Sequence, residues 1–224
     1  MEFTQKENAV VDRISQRISI TPRVTKAPVI VAMVGLVGSG KSRVASEFGS
    51  LLDASVISGD DIRVELRQAG ESFEHAWQIG VLIAIKAIQN GSNVILDFDH
   101  ILAERRTELA KLAEAAAAKL LFIRTHVSTD IMLGRIITVE YENRPEDFFG
   151  GAKTVWKGSP QSRGAVVKTR EMMRRLPHHY DWFSEGGGTW RLKKLDFPLA
   201  AEVDTSELVR EDQIRNLVSE FREL

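Results

Sequence analysis

Cysteine is absent from the 224 residues, which excludes disulfides, thiolate nucleophiles and thiolate metal sites together. No apolar run approaches the ~20 residues of a membrane span. The first residues, MEFTQKENAVVDRISQRISI, lack the basic start and apolar core of a signal peptide. A location in the cytoplasm is therefore expected, with no membrane partner. Nor does either sign of charge dominate, since the formal net charge is −1. That balance hides an asymmetry. Residues 153–194 hold ten Lys/Arg against three Asp/Glu, leaving 20 basic and 28 acidic residues elsewhere, a net −8. A basic segment is either a solvated face or a contact surface for phosphate or nucleic acid.

What is present is an ordinary globular composition, 43% apolar and 27% charged, with enough chain for one full core. Val11, Ile14 and Ile18 recur at helical spacing, so an amphipathic helix is expected over 5–18, with a linker up to residue 27, ahead of a main domain over 28–224. Apolar strands are expected at 28–34, 55–58, 93–98, 119–126 and 199–203. They alternate with helices at 41–52, 72–90, 101–117, 129–140 and 207–222, the last turning Leu208, Ile214, Leu217, Val218 and Phe221 inward. Such alternation argues for an α/β fold, a parallel sheet covered by helices on both faces. The segment 143–195 breaks the rhythm with Pro145, Pro160, Pro177 and three successive glycines, and reads as a basic lid or substrate insertion with a helix at 165–176.

The stretch VIVAMVGLVGSGKS matches G-x-x-x-x-G-K-[ST] from Gly35 to Ser42, after a strand and before a helix, where the phosphate-loop mechanism requires it. Gly35, Gly38, Ser39 and Gly40 would wrap backbone N–H groups around phosphate oxygens, and the helix opening near Lys41 adds its positive dipole end. Lys41 would reach the β- and γ-phosphates, and the Ser42 hydroxyl would ligate Mg²⁺. Just beyond the next strand lie Asp60, Asp61 and Arg63. A carboxylate there can accept a proton from an attacking hydroxyl and an arginine can hold a phosphate, although the two acids can also serve as a helix cap and first-turn dipole partners. In NVILDFDH, Asp97 ends the strand where a carboxylate would orient Mg²⁺ through water; Asp99 points to the same side and is the alternative.

GLVGSGKS, SGDDIRVEL and VILDFDH together resemble the P-loop kinases related to phage polynucleotide 5′-hydroxyl kinase, whose relatives include gluconate-type, chloramphenicol-phosphorylating and zeta-toxin kinases. The resemblance covers roughly residues 28–144. It implies a P-loop kinase fold with a five-stranded parallel sheet in the order 2-3-1-4-5, ATP and Mg²⁺ as cofactors, Asp60 as general base, and Arg63 on the acceptor's phosphate or the transferring group. It also implies nucleotide or phosphate contacts from Arg135 and Arg144 at the start of the lid. The sequence departs from the family pattern at Phe98, Asp99 and His100, where small polar residues are usual. Tyr180, Trp182 and Trp190, interleaved with Arg174, Arg175, His178 and Lys193, would suit base stacking or a small core pinning the insertion. His178 and His179 have no carboxylate at metal-like spacing, against a zinc site.

The expected activity is phosphotransfer from ATP to a hydroxyl. A polynucleotide 5′-hydroxyl is the preferred acceptor, through the basic 153–194 segment, and a sugar or nucleotide-sugar is the alternative. A nucleotide-gated switch would have no need of an acceptor base at Asp60.

Overall fold

The structure, a computed structural model, describes residues 2–139, 163–207 and 211–222. Its centre is a five-stranded sheet of β1 (Val29–Val34), β2 (Ala54–Ser58), β3 (Asn93–Asp97), β4 (Lys119–His126) and β7 (Ala201–Asp204), all pairs parallel, in the order β2-β3-β1-β4-β7. This is the expected 2-3-1-4-5 arrangement. The last strand is seventh in the chain because a hairpin, β5 (Tyr180–Phe183) and β6 (Thr189–Leu192), precedes it.

β1 is buried along its whole length because helices cover both faces of the sheet. With the strand period of two, Ile30 and Ala32 enter one core while Val29, Val31 and Met33 enter the other. The first core is closed by α1 (Gln5–Arg17), α3 (Gly59–Gln68), α4 (Ala76–Gln89) and α5 (Ala103–Ala115). The second is closed by α2 (Lys41–Leu52) and α8 (Glu211–Arg222), the latter through Ile214, Val218 and Phe221. Leu208, expected inward on this helix, lies outside the described residues.

The amino-terminal helix begins at a capping box in which Thr4 and Glu7 each accept the other's backbone N–H. Its Val10, Val11 and Ile14 pack into the first core, and Arg13 pairs with Glu65 of α3 at 2.8 Å. The chain from 59 to 90 holds two helices where one, at 72–90, was expected. Ser58 accepts the N–H of Asp61 at 3.2 Å and so starts α3 directly at the end of β2. The helix expected at 165–176 extends to α7 (Arg163–His179). A third, small cluster joins Met172, Leu176 and Tyr180 to Met132 and Ile136 of α6 (Thr129–Thr138) and to Leu36 of the phosphate loop. The Tyr180 hydroxyl donates to the Val127 carbonyl at 2.7 Å. Tyr180 thus belongs to a small core, whereas Trp182 on the hairpin is 54% exposed. Of the lid segment, 143–162 with Arg144 lies outside the described residues. No helix among the described residues is long and apolar enough to cross a membrane.

Candidate active site

A cleft of about 750 Å³ opens at the carboxyl ends of β1 and β3, where ligands bind in open α/β sheets. Its floor is the loop from Gly35 to Ser42. Tight packing explains the glycines: a Cβ on Gly35 would lie 2.5 Å from Thr125 Oγ1 and 2.6 Å from Ser39 Oγ. Gly40 takes φ +80° as the residue before α2, a conformation L side chains rarely adopt. No side chain caps α2 and its first turn carries no acid, so the helix dipole faces the cleft without a competing carboxylate. Ser39 is buried. Its hydroxyl meets Thr125 Oγ1 at 2.8 Å and its carbonyl accepts from Thr205 Oγ1 at 2.9 Å, so the loop is fixed to β4 and to the end of β7. Ser42 is exposed at the cleft, in the first turn of α2.

Lys41 Nζ stands 3.2 Å from Asp97 Oδ1. Burial acts against its charge, but Asp97, Asp60 and Asp99 outweigh burial and raise its pKa. Asp97 is itself buried, and Oδ1 accepts no well-aligned hydrogen bond despite the nearby ammonium. A buried carboxylate oxygen left without a donor, with the Ser42 hydroxyl on the same cleft, suits a hard cation that takes oxygen ligands. Among the described residues no group of three His, Asp or Glu side chains could cage a metal by itself.

Asp60 and Arg63, from the first turn of α3 and the turn after it, line the same cleft and pair at 3.0 Å. Asp61 faces a separate groove with Arg17 and Ser58, where burial raises its pKa. The structure therefore brings Asp60 alone of the two acids to the phosphate loop.

Asp99 has a different environment from Asp97. Its Oδ2 lies 2.5 Å from Arg175 and 3.1 Å from His179 Nε2, both on α7, while Oδ1 accepts the Gly35 N–H at 3.2 Å. Burial alone would raise its pKa; His179, Arg175 and Lys41 overcome this and hold it well below the usual carboxylate range. Behind it, the fully buried Arg124 donates to the backbone carbonyls of His179 at 2.9 Å and Lys193 at 2.7 Å and pairs with Glu202. Asp99 thus ties α7 to the first glycine of the phosphate loop, and His179 has the carboxylate partner that sequence spacing did not reveal, eighty residues away.

Arg135 reaches the cleft from α6, with its donors on protein atoms: the Gly38 carbonyl at 3.1 Å, the Thr205 hydroxyl at 3.0 Å and the Thr205 carbonyl. Sequence reasoning missed Arg105 of α5 and Arg170 of α7, both on the cleft wall. For Arg105 the signal was available, because it opens the helix that follows the β3 carboxylates.

Residues 30–148, more than half of the chain, match the family model described as an AAA domain, AAA_33. No curated protein matches the chain. Among solved structures, the fold is similar to that of a candidate kinase from Chloroflexus aurantiacus j-10-fl, with a TM-score of 0.54 at 19% identity over 87% of this chain and 98% of the other. It is also similar to a chain of the PezAT toxin–antitoxin system of Streptococcus pneumoniae, with a TM-score of 0.51 at 15% identity over 61% of this chain and 62% of that one. At these identities the likeness is one of fold. With the phosphate loop, the acidic end of β3 and four of the five strands of the parallel sheet in the matched segment, the chain belongs to the AAA_33 family of AAA-domain proteins, with a P-loop kinase fold.

Proposed function

We propose that the protein is an ATP- and Mg²⁺-dependent phosphotransferase with a hydroxyl acceptor. The observation that carries this reading is that Asp60 shares one cleft with Lys41 and the phosphate loop. A nucleotide switch needs the loop; only transfer to an acceptor needs a second, exposed carboxylate beside it.

In this reading the loop amides and the amino end of α2 hold the nucleotide's phosphates, and Lys41 follows the γ-phosphoryl group as charge moves onto it. Ser42 and Asp97 would hold Mg²⁺, which neutralises phosphate charge when bound. Asp60 takes the proton of the acceptor hydroxyl, and Arg63 keeps the carboxylate oriented through their 3.0 Å contact. Arg135 fixes the Gly38 carbonyl and so the shape of the loop. Arg144 remains a candidate for closing the site over the nucleotide.

For the acceptor, a polynucleotide 5′-hydroxyl is supported by Arg170 and Arg174 on the cleft wall and by the exposed Trp182, which packs against Trp190 across the hairpin. A sugar or nucleotide-sugar is the second reading, since the cleft would enclose such a molecule. Release of ADP should rise at least tenfold over the acceptor-free rate with one acceptor of a panel of 5′-hydroxyl oligonucleotides, sugars and nucleotide-sugars. ATP hydrolysis unaffected by every hydroxyl compound would favour the switch.

A further inference from the structure

Phe98 sits at the cleft between Asp97 and Asp99, yet its ring is driven into the first core and the residue is only 3% exposed. Two glycines make room for that ring. A Cβ on Gly59, the first residue of α3, would lie 2.7 Å from both Cδ1 and Cε1 of Phe98. A Cβ on Gly80, inside α4, would lie 2.6 Å from Cζ. Neither glycine takes a positive φ, so what each supplies is space and not backbone freedom. Glycine is a poor helix residue, and α3 and α4 both carry that disadvantage against the same ring. Trp77 closes a further side, edge-on with centroids 5.3 Å apart. A ring confined in this way has one position and transmits any displacement to its neighbours.

Gly59 is the residue immediately before Asp60. The side chain of Asp60 is 59% exposed and pairs with Arg63, a residue of the same helix, so its place relative to the rest of the cleft is inherited from the backbone of α3. Two contacts hold that backbone to β3. Ser58, the cap of α3, is the register partner of Asp97, and Gly59 rests on the ring of Phe98. Lys41 in turn stands 3.2 Å from Asp97. The end of β3 therefore carries both the carboxylate that faces the phosphate loop and the stop for the helix that carries Asp60.

We propose that Phe98 is a positioning residue for phosphoryl transfer: its ring is the wedge on which the first turn of α3 rests, and it sets the distance from Asp60 to Asp97 and the phosphate loop. The proposal rests on the reading of Asp60 as the acceptor's base. Phe98 acts through Gly59, without touching the reacting atoms. Reacting groups tolerate little error, since a misplacement of about 1 Å can cost ~10²-fold in rate.

The test measures single-turnover transfer from ATP to the best acceptor of the panel, together with affinity for a non-hydrolysable ATP analogue, on the full chain. Gly59→Ala sets a methyl group against the ring, so α3 must shift. Analogue affinity should stay within about threefold of wild type while the transfer rate at saturating acceptor falls about tenfold or more. That methyl group would also come within 3.3 Å of Arg63 Nη1, and a second substitution separates the two routes. Phe98→Leu lacks Cε1, Cε2 and Cζ, so with both substitutions the helix can settle back. The double variant should transfer about threefold faster than Gly59→Ala, or better, whereas a ring with only a structural role predicts two losses that add. Phe98→Leu alone should slow transfer by about threefold or more with analogue affinity kept, and this arm decides if Gly59→Ala does not bind the analogue. Transfer by Gly59→Ala or by Phe98→Leu at the wild-type rate, or a double variant no faster than Gly59→Ala, would overturn the wedge. Asp60→Asn measured alongside tells the two failures apart: its transfer at the wild-type rate would sink the reading of the base itself.

Discussion

His100 is fully buried, with the Trp77 and Phe98 rings 5.2 and 6.2 Å away; its Nδ1–H donates to the Met33 carbonyl at 2.7 Å and its Nε2 has no partner. Burial pushes its pKa down to about 4, although Met33 and Asp99 act the other way. In the unfolded chain the ring protonates near 6.5. The stability His100 contributes is thus fully present above pH 6.5 and is lost as the pH falls towards 4, by roughly 3 kcal/mol. Urea unfolding at pH 7.5 and pH 4.5 should show this decline, and His100→Gln should flatten it. An unchanged slope in the variant would place the pH dependence elsewhere. Asp99 does not confuse the window, because its depressed pKa costs stability only at lower pH, as it protonates.

At the scale of elements, the end of β3 presents two carboxylates with separate tasks. Asp97 faces Lys41 and has an oxygen without a donor, whereas Asp99 is saturated by α7 and Gly35. Asp97→Asn should therefore raise the Mg²⁺ concentration for half-maximal activity at least tenfold. Asp99→Asn should leave that requirement within about threefold of wild type and lower unfolding stability by about 3 kcal/mol, since it strands Arg175 and His179 in a buried site. Measuring Mg²⁺ dependence and urea unfolding on both variants separates the roles, and the reverse pattern would exchange them. The phosphate loop and the strand–helix alternation were legible because each is a local pattern: a glycine spacing, or an apolar run bounded by turn residues. The Asp99–His179 contact was not, because it joins residues eighty positions apart. The β5–β6 hairpin escaped because its strands are short, mostly exposed and joined by a glycine run that reads as loop. α3 was missed as a separate helix because its cap, Ser58, is also the last residue of β2.

For the whole molecule, the basic 153–194 segment is set against a remainder of net −8, and its described part does not act as one surface. Arg175 is 21% exposed and bound to Asp99, while Arg174 is exposed on the same helix and Arg170 joins it on the cleft wall. Neutralising Arg170 and Arg174 together should lower the salt slope of oligonucleotide binding by about 1.4, from ~0.7 per charge on a single strand. Binding of a 5′-hydroxyl oligonucleotide to both proteins across a salt series gives this number; an identical slope would make the two arginines a solvated face.

The central claim is that one cleft binds a nucleotide and transfers its γ-phosphoryl group to an acceptor through Asp60. Its most direct test pairs two measurements on Asp60→Asn: affinity for a non-hydrolysable ATP analogue, and single-turnover transfer to the best acceptor of the panel. The expected result is analogue affinity within threefold of wild type and a transfer rate lower by ~10²- to 10⁴-fold, the loss of a general base. Transfer by Asp60→Asn at the wild-type rate would contradict the account.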